Sequence, residues 1–271
     1  MTSVAETSLR RTRFLLGCGT VAGLLFPLLS FGQAFTRSGF DLRRHAISSL
    51  TLGDLGWLQV IAFVGTGVLA VAFAVGLWQA LRPGRAGTVV PVLVGVYGVA
   101  MVGGGIFVPD PALGWPPGAP GLPEQASTGS VLHTVCGAAA FLSLIAAGLL
   151  LARRFAAQGD RTWARYSGTS GCVAFVLTAL PWSGGSASIR FAVGAVLISL
   201  WLVALSWWAR GEWPRPLRGL WSYAGDSITS WPQRSSQQPF RPLSASTTSW
   251  SAIPTNVGGP TRGGSARSWA S

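Results

Sequence analysis

Residues 55–81 read LGWLQVIAFVGTGVLAVAFAVGLWQAL, with no Asp, Glu, Lys or Arg among them. A helix rises about 1.5 Å per residue, and a hydrocarbon core of roughly 30 Å takes about 20 apolar residues to cross. The stretch is long enough to cross with turns to spare. Uncharged stretches of the same kind lie at about residues 14–35, 86–108, 130–152, 166–182 and 191–209. The sequence therefore predicts an all-α fold, a polytopic membrane bundle of six transmembrane helices. Its expected divisions are an N-terminal segment at 1–13, the membrane domain at 14–209 and a disordered tail at 210–271.

Composition excludes the main alternatives. Of the residues, 49% are hydrophobic and only 10% charged, too little polar surface to cover a soluble domain of this size. The net charge of +12 comes from 20 arginines and no lysine, scattered along the chain. A nucleic-acid binder would gather them on one soluble face, so no nucleic-acid partner is expected. Cys18, Cys136 and Cys172 each fall inside an expected span without CxxC spacing, which excludes a disulfide framework and a cysteine zinc site.

Arginines set the expected orientation. Arg10, Arg11, Arg13, Arg82, Arg85, Arg153, Arg154, Arg161, Arg165, Arg210, Arg215 and Arg218 fall on one side, and only Arg37, Arg43, Arg44 and Arg190 on the other. Both termini are expected to be cytoplasmic, in a multi-pass protein of the cell membrane whose first partner is the lipid bilayer. The arginines before residue 14 read as the flank of a retained span, because the small-residue site needed for signal cleavage is poor. Pro27 and Pro91 are expected to kink their helices without breaking them. Gly19 and Gly23 form a GxxxG pattern that reads as a packing notch within the chain, and the run Gly103-Gly104-Gly105 reads the same way. Beyond about residue 211, Ser, Pro, Trp, Gly, Gln and Arg alternate with no apolar period, and such a segment cannot bury enough surface to offset its chain entropy.

This threading brings the chain's two histidines, His45 and His133, to the extracytoplasmic side, with Asp41, Arg43, Arg44, Asp54, Asp110 and Arg190. Ser38-Gly39-Phe40-Asp41 has capping-box spacing ahead of Leu42, Ala46, Ile47 and Leu50, which predicts a short helix on the bundle surface. The second outer loop carries Pro109, Pro111, Pro116, Pro117, Pro120 and Pro123, and their fixed φ angles predict a semi-rigid lid holding Asp110 in place.

Four segments in order, His45-Ala46-Ile47-Ser48-Ser49-Leu50, Gly53-Asp54-Leu55-Gly56-Trp57-Leu58-Gln59, residues 107–118 reading FVPDPALGWPPG, and Leu132-His133, resemble the domain-of-unknown-function 998 family of prokaryotic multi-span membrane proteins. The resemblance covers about residues 12–210. It implies an integral membrane protein of unestablished activity.

The function expected is the binding or movement of a small molecule or lipid through an outward-facing polar pocket. Asp110, His133, Arg190, His45 and Arg44 are the candidate lining, with Asp110 and Arg190 as a charge-compensated pair. The alternative is a membrane-embedded zinc hydrolase with His45, Asp110 and His133 as ligands, assisted by Ser48 or Glu124, since two imidazoles and a carboxylate suit a zinc ion that activates water. Local HExxH-type spacing is missing, and no cofactor is expected. The sequence leaves open whether the protein is an enzyme, and its oligomeric state.

Overall fold

A computed structural model describes residues 2–81, 85–180 and 186–211, and its long elements are all helices. They are α1 (Thr2–Thr36), α2 (Gly56–Leu81), α3 (Arg85–Ile106), α4 (Thr128–Ala157), α5 (Arg161–Ala179) and α6 (Ala187–Ala209), with a 3-10 turn at Ile47–Thr51 between α1 and α2. The expected tail lies outside the described residues beyond 211, as does the end of the expected fifth stretch. All helices but α5 are long and apolar enough to cross a bilayer. Among the described residues the fold is thus an all-α bundle of six helices with five such spans.

Each helix packs on the next, and α6 packs back on α1, so the helices form a closed ring. At one end the Ser188 hydroxyl donates to the His45 carbonyl, and His133 Nδ1–H donates to the Phe107 carbonyl at 2.7 Å. At the other end the Ser206 hydroxyl donates to the Leu16 carbonyl at 2.6 Å, and Arg154 donates to the Leu81 carbonyl at 3.1 Å. We call the first the loop end and the second the terminal end. α5 carries the chain from the terminal end back to the loop end.

Lipid offers no hydrophobic drive between helices, so small residues that let backbones approach decide where they touch. The two glycines of the GxxxG pattern face different neighbours. A Cβ on Gly19 would sit 2.8 Å from the Phe73 ring of α2, and one on Gly23 would sit 2.6 Å from Val203 Cγ2 of α6. The glycine run of α3 seats the Phe63 ring and Cys136. A close approach joins Gly67 of α2 to Gly98 of α3, where each glycine lies against the other's carbonyl.

Several polar groups inside the bundle are paired across helices. Gln33 Nε2 donates to Gln59 Oε1, and Gln59 Nε2 to Ser30 Oγ, both at 2.9 Å and fully buried between α1 and α2. The Trp201 indole N–H donates to Ser167 Oγ at 3.1 Å, locking α6 to α5. That bond explains the low hydropathy of α5. Its serines and Gly171 face inward, while Cys172, Val173, Phe175 and Val176 face out.

Two local expectations change. α1 starts near residue 2 rather than 14, because nothing from Thr2 to Arg13 is Pro or Gly and the helix continues outward past the apolar stretch. The capping box at 38–41 does not form. Gly39 turns the chain at φ 83, the Asp41 carboxylate accepts the Arg43 N–H at 2.9 Å, and helical structure begins only at Ile47. α1 and α3 run unbroken through Pro27 and Pro91.

Candidate functional site

The sequence between α1 and α2 cannot continue as helix, and it folds down over the loop end instead. Ile47, Leu50 and Thr51 are buried. The proline-rich loop 107–127 folds on top of them, closed by the Ala112–Trp115 bridge and by bonds from the Leu113 and Gly114 N–H groups to the Gly121 and Pro120 carbonyls. Trp115 joins the two loops. It is 2% exposed, its indole N–H donates to the Ser49 carbonyl at 2.9 Å, and its ring meets Phe40 edge-on and lies near His45. The Arg37 guanidinium sits 4.7 Å over the same ring while donating to the Leu50 and Leu52 carbonyls at 2.6 and 2.7 Å.

His45 is a brace in this assembly. Its Nδ1 accepts the Asp41 N–H at 3.0 Å, which fixes the Nε2–H tautomer, and Nε2–H donates to the Leu113 carbonyl at 3.1 Å. Arg44 donates to that carbonyl as well, at 3.4 Å. Leu113 holds φ 56, in the left-handed region that few branched residues adopt, with its carbonyl presented to both. Both ring nitrogens of His45 are committed, and no lone pair remains for a metal.

Asp110 anchors the start of α4. Its Oδ2 accepts the Ser127 N–H at 2.8 Å, and the Ser127 hydroxyl oxygen in turn accepts the Ser130 N–H at 3.1 Å as the helix cap. The Ser127 hydroxyl and N–H hold the Asp110 carboxyl below its ordinary value of 3.8. Stabilisation from a carboxyl with a lowered folded-state pKa is present above the unfolded value and lost as pH falls through the folded one. Asp110→Asn is therefore expected to lower the melting temperature near neutrality and to match the wild type once the medium is acidified below that range. A gap that survives acidification would contradict this role. Arg190, in the first turn of α6, is half-buried.

His133 points the other way in its chemistry. Nδ1–H is shared between the Gly104 and Phe107 carbonyls, at 3.0 and 2.7 Å, so it caps the orphan carbonyls at the end of α3. Nε2 is left as an acceptor with no partner among the described residues. His133 also lines a chamber of about 610 Å³ between α4, α5 and α6, roofed by Ala46, Ser48 and Pro109. A smaller void of about 60 Å³ continues inward past Ser48, Phe63 and Gly137. Phe141 and Phe191, edge to face at 4.6 Å, stand between α4 and α6.

Of the five candidate residues, His133 alone lines this chamber. Among the described residues no charged side chain does. The chamber wall is largely apolar, and Asp110, His45 and Arg44 hydrogen-bond to loop backbone. The three-ligand set of the zinc alternative is not assembled either: among the described residues, no group of three His, Cys, Asp or Glu side chains lies close enough to hold a metal ion. Within the chamber Thr134 and Thr178 donate back to the Ser130 and Ala174 carbonyls of their own helices. The groups left to meet a ligand are His133 Nε2 and the Ser48 hydroxyl.

A ring of apolar helices capped by two folded loops defines a multi-pass membrane protein. Residues 20–208 match the profile of the family described as protein of unknown function, DUF998. The chain belongs to that family. No curated protein and no solved structure matches it.

Proposed function

We propose that the protein crosses the cell membrane six times, with its terminal end cytoplasmic and its loop end outside, and that it binds a small amphiphile or single lipid chain in the chamber beside His133. The observation that carries the binding reading is the chamber itself. Its volume of about 610 Å³ lies in the range of ligand pockets, which run to roughly 300–1,000 Å³, and an apolar wall with few polar groups is their usual composition. Ser48 supplies a donor and His133 an acceptor, so the fitting ligand is an apolar body carrying one protic head group.

The sixth crossing rests on α5. Averaged hydropathy treats all its faces alike, whereas its serines turn into the ring and its apolar side chains turn out. Its exposed Thr169 donates back to the Arg165 carbonyl at 2.8 Å, leaving little polarity for lipid to solvate. The orientation rests on the excess of arginines at the terminal end. Labelling of single cysteines placed at Gln158 and Ser186 is expected to report opposite sides of the membrane. Labelling from one side alone would remove the sixth crossing.

Gly137 provides the test of the chamber. A Cβ built there meets nothing within 4 Å, so a larger side chain starts into the void with no clash at its first atom. Gly137→Phe is expected to fold normally and to lose a lipid or amphiphile that co-purifies with the wild type, read by mass spectrometry of the intact protein. His133→Ala removes the one hydrogen bond offered to the ligand, along with the Nδ1–H bonds to the Gly104 and Phe107 carbonyls, and loss of the ligand bond is expected to weaken retention about fivefold, about 1 kcal/mol. Equal lipid content in the wild type and Gly137→Phe would end the proposal.

A further inference from the structure

A second cavity, of about 810 Å³, opens at the terminal end, where the outward extension of α1 leans over the ends of α2 and α6. Arg11, Arg13 and Arg210 line it, and among the described residues no acidic side chain does. Among the described residues, Arg11 and Arg13 have no side-chain partner, and both are exposed. The exposed guanidiniums of Arg11 and Arg13 give the cleft a positive potential that favours an anion.

The cleft is built rather than incidental. Thr12 Oγ1 donates to Gln79 Oε1 at 2.6 Å, which pins the α1 extension to α2. Arg210 donates to Thr20 Oγ1 at 3.3 Å, and Thr20 shares a 2.8 Å hydrogen bond with Ser206. Those bonds hold one guanidinium against the helix surface, 3.6 Å from where a Cβ on Gly17 would lie. Leu16, Ala80 and Ala209 supply an apolar wall directly beneath the charges.

We propose that this cleft binds the phosphate head group of an anionic phospholipid. Guanidinium groups grip phosphate oxygens in pairs, and the apolar wall takes the first part of an acyl chain. Basic pockets between membrane helices bind anionic head groups by this combination of charge and depth. Free phosphate shares the charge but lacks the chain.

The experiment uses the full chain in lipid nanodiscs of phosphatidylcholine, with phosphatidylglycerol added in steps, and reads the melting temperature and the lipids retained in intact-protein mass spectrometry. The wild type is expected to show a saturable rise and to retain phosphatidylglycerol. The Arg11→Gln/Arg13→Gln variant is expected to need about tenfold more of that lipid or to show no saturation. Arg161→Gln/Arg165→Gln, which removes two exposed arginines at the same end but off the cleft, is expected to behave as the wild type. An unchanged response in the first variant overturns the proposal, as does an equal loss in the second, which would mean diffuse surface charge. Reproduction of the shift by inorganic phosphate overturns the lipid assignment in favour of a free-anion site.

Discussion

Trp115→Ala is expected to destabilise the protein by about 3–5 kcal/mol, the usual cost of truncating a buried tryptophan. The side chain is 2% exposed and touches Phe40, His45 and Arg37. Its removal leaves a void among Phe40, His45 and Arg37, and it takes away one of the two hydrogen bonds to the Ser49 carbonyl, which keeps the Leu52 N–H. Trp115→Phe separates these effects. It keeps most of the ring packing and forfeits only the hydrogen bond, so about 1 kcal/mol is expected. Thermal unfolding in mild detergent, followed by intrinsic fluorescence or by thiol accessibility, gives both numbers. Because Ser49 adjoins Ser48 in the chamber roof, the alanine variant is also expected to retain less of the amphiphile. A melting temperature equal to the wild type would mean that the two loops are held by something other than this indole.

Gly98→Val is expected to cost at least about 3 kcal/mol, above most overpacking changes, because the new atoms meet backbone rather than a yielding side chain. A Cβ there would lie 2.6 Å from the Gly67 carbonyl oxygen and 2.9 Å from the Val71 nitrogen, so α2 and α3 must move apart along their length. Gly95→Ala on the same helix is the control. Its Cβ would meet the Ala74 Cβ at an ordinary 3.8 Å, so the change is expected to be neutral or to stabilise by about 0.5–1 kcal/mol through helix propensity. Opposite signs for two glycines three residues apart would show that close approach, not glycine content, holds this pair together. Similar behaviour of the two variants would refute the assignment.

Length and charge made the five most apolar helices legible, since a run such as residues 55–81 has few other ways to bury itself. α5 was legible as a stretch but not as a typical span: Ser167 and Ser170 lower its average, and only the packed structure shows which way they turn. The Gly67–Gly98 contact carried no motif, because each helix contributes a single glycine and the pairing exists only across the interface. Gln33 and Gln59 were passed over for a similar reason. An uncharged polar side chain inside an apolar run draws no attention until its partner on the next helix is known.

The candidate site was partly legible. Reading the chain for charge and for imidazoles singled out His133, which lines the chamber, and His45, which lies in the loop at the same end of the bundle. It did not reveal the hydrogen bonds that His45, Asp110 and Arg44 make there, since a polar side chain near a membrane surface can serve a ligand or the backbone of a neighbouring loop, and spacing alone does not distinguish these. The free carbonyl of Leu113 and the exposed cap of α4 claimed them. Arg37 was counted only for its charge, whereas it acts through its planar fork and its face on Trp115.

The direct meeting of α1 with α6 carries a consequence for biogenesis. A chain leaving the ribosome delivers its first helix to the bilayer long before its last, yet the groove at Gly23 fits Val203 and the Thr20 hydroxyl awaits Ser206. Through most of synthesis that flank stays open to whatever neighbour the membrane offers. Truncation ahead of residue 187 would make the vacancy permanent, turning an internal seam into a sticky edge.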